Sequence, residues 1–385
     1  MNRRDLLRAA ALALVPVSTR AAEAAVSRTR WITRGSEGFD AVAFMAPLSG
    51  DPFYVEYYEK AVAEFAPKMN PEALATLKDL KRDIAATDGL FSPFFDLYIS
   101  AGPDATLGEL LSSLDHPALL KAPLRASIYW DEYGEETWKR FVQRAPILRK
   151  ILIAMREAGF PEFRRAIFDA TAARRIPELR RRLAAADVVA EVEYFTGRKF
   201  DPEIEIILLE FCKPHGVKVI GQKFLTGIEY DDRIAIQTAA HELLHPPVDM
   251  RGRAATAALA VLRRDTVLQR IVKEHDPAFG YSTLEGILNE DLVKSLDQVI
   301  SERLGVSDDP ALRFVQQDGG MHVLAAGFYG LLKQTGFART GGNLEQWLLG
   351  AATNGLLEPA SLHAAAGLVM KRDPGRLWAP PPVAS

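Results

Sequence analysis

The chain has 385 residues, 48% of them hydrophobic and 25% charged, with a formal net charge of -3. That balance belongs to a folded globular protein and excludes a largely disordered one. No basic stripe interleaved with aromatics runs through the body, so nucleic acid is not an expected partner. The single cysteine, Cys212, excludes an intrachain disulfide and every multi-cysteine metal site. It sits in the apolar run Ile206-Ile207-Leu208-Leu209-Glu210-Phe211-Cys212 and reads as a small buried hydrophobe.

The first residues read as an address. Asn2-Arg3-Arg4-Asp5-Leu6-Leu7-Arg8 has the paired arginines, apolar residues and following base of a twin-arginine export signal. The apolar stretch Ala9 to Val17 is too short to span a bilayer, and Ala22-Glu23-Ala24 suits signal-peptidase cleavage. Residues 1–24 are therefore expected to be a removable signal peptide, and the mature chain to be periplasmic or secreted. No later apolar run is long enough for a transmembrane segment.

In the body, Phe39 to Met45 is expected to form a strand. Helical patterns then dominate to about residue 197. Asn70-Pro71 is a helix start, leading into Leu74, Leu77, Leu80 and Ile84 at helical spacing. Thr137 to Ala158 follows, with Pro146 expected to divide it into two helices, and Pro161 and Pro177 each to open a further helix. Near residue 200 the character changes. Ile204 to Leu209 and Val217 to Gly221 read as strands. A helix then runs to Pro246-Pro247, where proline ends the hydrogen-bond ladder. Helices return, notably Leu284 to Leu304, and residues 376–385, with Pro380-Pro381-Pro382, read as a frayed tail. The expected class is α+β and predominantly helical, with a mainly helical region over residues 25–197 and a second region over 198–375.

The chemistry concentrates in that second region, at His241-Glu242-Leu243-Leu244-His245. On a helix, residues four apart share a face, so His241 and His245 can offer two imidazoles to one ion. Glu242 lies about 100° round from His241, within reach of a water beside that ion, and can serve as general base. Ile236, Ala240 and Leu243 fall broadly opposite the histidines, which lets the helix bury one face while the other does chemistry. Zn2+ suits this donor set and keeps a position open for water. The upstream strands offer an edge for an extended peptide.

A third ligand is required. No histidine follows within a turn of Pro247, and His275 and His322 are isolated. In the helix beyond residue 284, Leu284, Leu288, Leu292, Leu296 and Val299 form one stripe, flanked by Glu285 and Asn289, with Glu290 nearly opposite. If the stripe faces the motif helix, Glu285 is the ligand; if the helix is covered on both faces, Glu290 can be. Tyr281, His322 and Tyr329 are candidate donors to a developing oxyanion.

The motif resembles that of the gluzincin metallopeptidases, in which HExxH is joined by a glutamate on a following helix, often within an Asn-Glu pair. Here Asn289-Glu290 stands 44 residues beyond His245, and Glu290-Asp291-Leu292-Val293-Lys294 is similar to the Glu-x-Leu-Val-Arg of exported zincin-like proteins. The resemblance spans residues 200 to 335 and favours Glu290 as third ligand. It implies a zincin-like site helix beside a small β-sheet and zinc-dependent hydrolysis of a peptide or protein substrate in the cell envelope. Gluzincins usually carry an acid four residues after the ligand, where this chain has Lys294. The alternative is an exported zinc-binding or scaffold protein without turnover, its metal contributing folding free energy.

Overall fold

A computed structural model describes residues 27–87, 90–126, 130–214, 216–245, 248–276, 279 and 281–380. The expected signal peptide, Pro246-Pro247 and the last five residues lie outside the described residues. The protein is α+β and predominantly helical, 69% helix with one four-stranded mixed sheet. No helix among the described residues is long and apolar enough to cross a membrane.

The sheet is built from β1 (Arg30–Gly35), β2 (Glu203–Leu209), β3 (Val217–Lys218) and β4 (Lys223–Gly227), in the order β1-β2-β4-β3. The pairs β1–β2 and β2–β4 are parallel, with Thr33 opposite Ile206 and Leu208 opposite Thr226. The edge strand β3 runs antiparallel to β4, Lys218 opposite Phe224. Helices from Glu37 to Thr196 lie between β1 and its partner β2, so residues from both halves of the chain share one sheet.

Both sheet faces are covered. Ile204, Ile206 and Leu208 of β2 and Phe224 of β4 enter a core made with the helices that follow Phe168. Ile207, Leu209 and Leu225 enter a second core made with the helices from Glu37 to Glu157. A strand buried on both faces reads as an unbroken apolar run, which is why residues 206–209 of β2 were legible.

Several segments depart from expectation. The strand expected over Val217 to Gly221 is confined to Val217–Lys218, and the chain pairs again at Lys223–Gly227. Phe39 to Met45 is helical, within Glu37–Leu48. The Ser36 hydroxyl accepts from Phe39 N at 3.1 Å and caps it, and every residue from Gly38 to Leu48 is buried. An element apolar all round has no periodicity to separate buried helix from buried strand. Pro146 and Pro177 lie inside the helices Trp130–Glu157 and Phe160–Leu183 instead of dividing them. An internal proline forfeits a hydrogen bond at a cost of about 3 kcal/mol. Buried anchors on both sides, Phe141 and Leu148 round Pro146 and Ala172 and Leu179 round Pro177, offset it. In the segment expected to fray, Leu377 and Trp378 are buried. Arg270 holds Trp378, its Nη2 donating to Trp378 O at 2.7 Å and its guanidinium lying 5.3 Å from the indole centroid.

Candidate metal centre

The motif helix, Asp232–Leu244, starts where Asp231 accepts from Arg233 N at 2.8 Å. Ala235, Ile236, Ala239, Ala240, Leu243 and Leu244 are buried along its back. His245 is its last capping residue, and the Lys218 ammonium of β3 donates to Glu242 O at 2.6 Å. That bond satisfies a carbonyl of the last turn and ties the sheet edge to the motif helix.

On the open face, His241 Nε2 and His245 Nε2 stand 3.3 Å apart, with their rings at 78°. Across from them is Glu290, on the helix Leu284–Arg303. Its Oε1 lies 3.6 Å from His241 Nε2 and its Oε2 3.7 Å from His245 Nε2. Glu242 also offers an oxygen, and the ligand atoms of His241, Glu242 and His245 all lie within 4.8 Å of one another. Tetrahedral ligands about 2.0–2.1 Å from zinc are separated by about 3.3–3.4 Å. The two imidazoles meet that spacing and the carboxylate oxygens lie a few tenths of an ångström outside it, so the donor set fits zinc.

Glu285, the other carboxylate weighed as third ligand, is at the surface, 2.7 Å from Arg263. The helix that carries both is buried on nearly all sides from Ile287 to Ser301. Its leucine stripe therefore leaves the opposite face free to carry Glu290 and Asp297 to the motif helix.

Asp297, which sequence reasoning missed, completes the support. His241 Nδ1 donates to Asp297 Oδ2 at 2.6 Å, and Arg313 holds both Asp297 oxygens, at 2.5 and 3.0 Å. Asp297 follows Glu290 by seven residues, two helical turns, so one face presents both. That spacing was the available signal. Burial alone pushes the Asp297 carboxyl up, but Arg313 and His241 outweigh it and hold it far below the usual carboxylate range. Burial draws the His241 imidazole down, and the bond to Asp297 with the nearby Glu290 reverses this to a net rise. His245 is lowered, by burial first and then by His241 beside it. Glu290 is lowered: burial opposes this, but His241, Lys294 and His245 outweigh it.

The three candidate oxyanion donors separate. Tyr281 lies beside Glu290, and burial followed by that carboxylate raises its hydroxyl far above the ordinary value. It also sits at φ 57°, a conformation unusual for a bulky residue. His322 has both nitrogens engaged, Nδ1 with Asp291 at 2.5 Å and Nε2 with Asp318 at 2.7 Å. Tyr329 donates to Glu302, about 18 Å along the helix from Glu290 at 1.5 Å per residue. His275 lies against Ile271 O at 2.8 Å.

No known family, curated protein or solved structure matches this chain. The functional reading therefore rests on the chemistry of the centre itself.

Proposed function

We propose that the protein is a zinc-dependent peptide hydrolase of the cell envelope, with His241, His245 and Glu290 holding the ion and Glu242 acting as general base. The observation that carries the reading is the convergence of two imidazoles 3.3 Å apart and a buried carboxylate 3.6 and 3.7 Å from them, supplied by two different helices. Zinc bound there supplies a Lewis acid that polarises a carbonyl and acidifies water near neutral pH. Glu242 takes a proton from the attacking water on its carboxylate as the C–O bond forms, then delivers it to the departing amide nitrogen as the C–N bond breaks. Asp297 holds His241 with Nδ1 protonated, which turns the Nε2 lone pair to the centre. Tyr281 stands beside Glu290 as the donor for the developing oxyanion. The edge strand β3, joined to the motif helix through Lys218 and Glu242 O, is the natural place for an extended substrate to pair.

A second reading, a zinc-binding protein without turnover, is favoured by one contact: Lys294 lies 3.2 Å from Glu290 where a gluzincin has an acid. Elemental analysis of the purified mature protein, with His241→Ala alongside, tests both. About one zinc per chain, lost in the variant, is expected. Glu242→Gln should keep the zinc and lose hydrolysis of a peptide library. No zinc in protein offered the metal overturns both readings, and full hydrolysis by Glu242→Gln overturns the first.

A further inference from the structure

Glu290 is claimed by a cation of the protein itself. Lys294, one turn further along the same helix, places its ammonium 3.2 Å from Glu290 Oε1 and 3.7 Å from Asp318 Oδ2. Its side chain is only 6% exposed. The second acceptor is fixed in turn. Asp318 also receives His322 Nε2 at 2.7 Å, and His322 Nδ1 is bound to Asp291, which takes Ala325 N at 3.0 Å. Glu290, Lys294, Asp318, His322 and Asp291 thus form a chain, buried except at the half-buried Asp318, in which acidic and basic groups alternate.

This has two electrostatic consequences. Without an ion, Glu290 would be a buried carboxylate facing two imidazoles, and an uncompensated buried charge is costly. The Lys294 ammonium compensates it. With an ion, the same ammonium is a like charge held against the shared carboxylate, in a site where charges are screened less than in water. A carboxylate oxygen already occupied by an ammonium is also a poorer donor, which leaves Oε2 as the freer oxygen.

We propose that Lys294 is a resident counter-charge that stabilises the metal-free centre and weakens its hold on zinc, making this a site that exchanges its metal. The inference rests on the zinc-centre reading above. It assigns a position at which this chain departs from the pattern it resembles: an acid there adds attraction for the ion, and Lys294 removes it.

The test compares the full mature protein with Lys294→Met and Lys294→Arg. Zinc affinity is measured by competition with a chelator, and thermal unfolding is followed in EDTA and in zinc. Lys294→Met should bind zinc at least about tenfold more tightly, equivalent to ~1.4 kcal/mol. It should unfold at a lower temperature than the parent in EDTA and gain more from added zinc. Lys294→Arg, which keeps the charge, should stay close to the parent. Equal or weaker zinc binding by folded Lys294→Met overturns the proposal and leaves the zinc centre standing. Zinc binding by neither protein overturns the zinc centre, and this inference with it. Should Lys294→Met fail to fold, Asp318→Asn is the second probe. Removing a neutralising acid from Lys294 should weaken zinc binding several-fold, and unchanged or tighter binding overturns the proposal.

Discussion

Asp297 Oδ2 lies 2.6 Å from His241 Nδ1, and Arg313 grips both oxygens of the same carboxylate. The three side chains link the motif helix, the glutamate-bearing helix and the helix Pro310–Gln316. Arg313 keeps Asp297 ionised, so the carboxylate is a permanent acceptor that fixes one tautomer of His241. Asp297→Asn removes the charge and makes the tautomer ambiguous. Zinc affinity should fall by about 10–100-fold, as is usual when a partner of a ligating histidine is lost. Chelator competition reads this directly, and an unchanged affinity would show that the orientation of His241 does not depend on Asp297.

The two glutamates of the helix Leu284–Arg303 make a matched pair of variants. Glu290→Gln removes a buried charge between two imidazoles and should abolish stoichiometric zinc binding. Glu285→Gln removes a surface partner of Arg263 and should leave zinc content unchanged, with stability within about 0.5 kcal/mol of the parent. Metal analysis of the two proteins side by side decides it. Loss of zinc in Glu285→Gln with retention in Glu290→Gln would reverse the assignment.

How much of this could be read in advance follows from what a linear pattern can carry. The pair His241 and His245 was legible because four residues is one helical turn, and residues 206–209 of β2 because two buried faces leave a continuous apolar run. The rotation of the Leu284–Arg303 helix was not, since a leucine stripe names an apolar face without naming its neighbour. Only the structure shows that the face opposite the stripe meets the motif helix. Asp297 and Arg313 were hidden for a related reason: their roles depend on a contact between residues 56 and 16 positions apart. The strand β1, which carries Arg30 and Arg34, was missed because its charges are satisfied across the fold. Arg30 pairs with Glu203, and Arg34 with Glu205 and Asp104.

The helix Val323–Gln334, which carries the His322 end of the charge chain, packs closely on Pro359–Met370 through its glycines. A Cβ on Gly327 would fall 2.5 Å from Leu362 Cδ1, 3.0 Å from its Cγ and 3.2 Å from its carbonyl oxygen. The terminal methyl can turn away, but the carbonyl can yield only if the two helices separate. Gly327→Ala should therefore destabilise, with an overpacking cost of roughly 1–3 kcal/mol set against about 1 kcal/mol of improved helix propensity. Urea unfolding measures the net effect. A variant more stable than the parent would mean that the helix pair relaxes at little cost.

Asp40 gives the fold a pH dependence of its own. Its side chain is fully buried, with Oδ1 accepting from Glu210 N at 2.7 Å and Phe211 N at 3.1 Å and Oδ2 accepting from Arg164 Nε at 2.9 Å. Burial raises the carboxyl to about 6 from 3.8, against the opposing pull of Arg164 and the two N–H groups. A carboxyl whose folded value is raised favours the fold when protonated. Its contribution is complete below the unfolded value and is lost as pH rises through about 6. Asp40→Asn stays neutral throughout, so its stability relative to the parent should improve by about 2 kcal/mol between pH 4 and pH 7. The comparison belongs in EDTA, by urea unfolding at each pH, so that competition between protons and metal at His241 does not enter. Stranding the Arg164 guanidinium will make the variant the weaker protein in absolute terms, so only the slope of the difference is diagnostic. A difference independent of pH would mean that Asp40 is ionised throughout, its two backbone donors and Arg164 outweighing its burial.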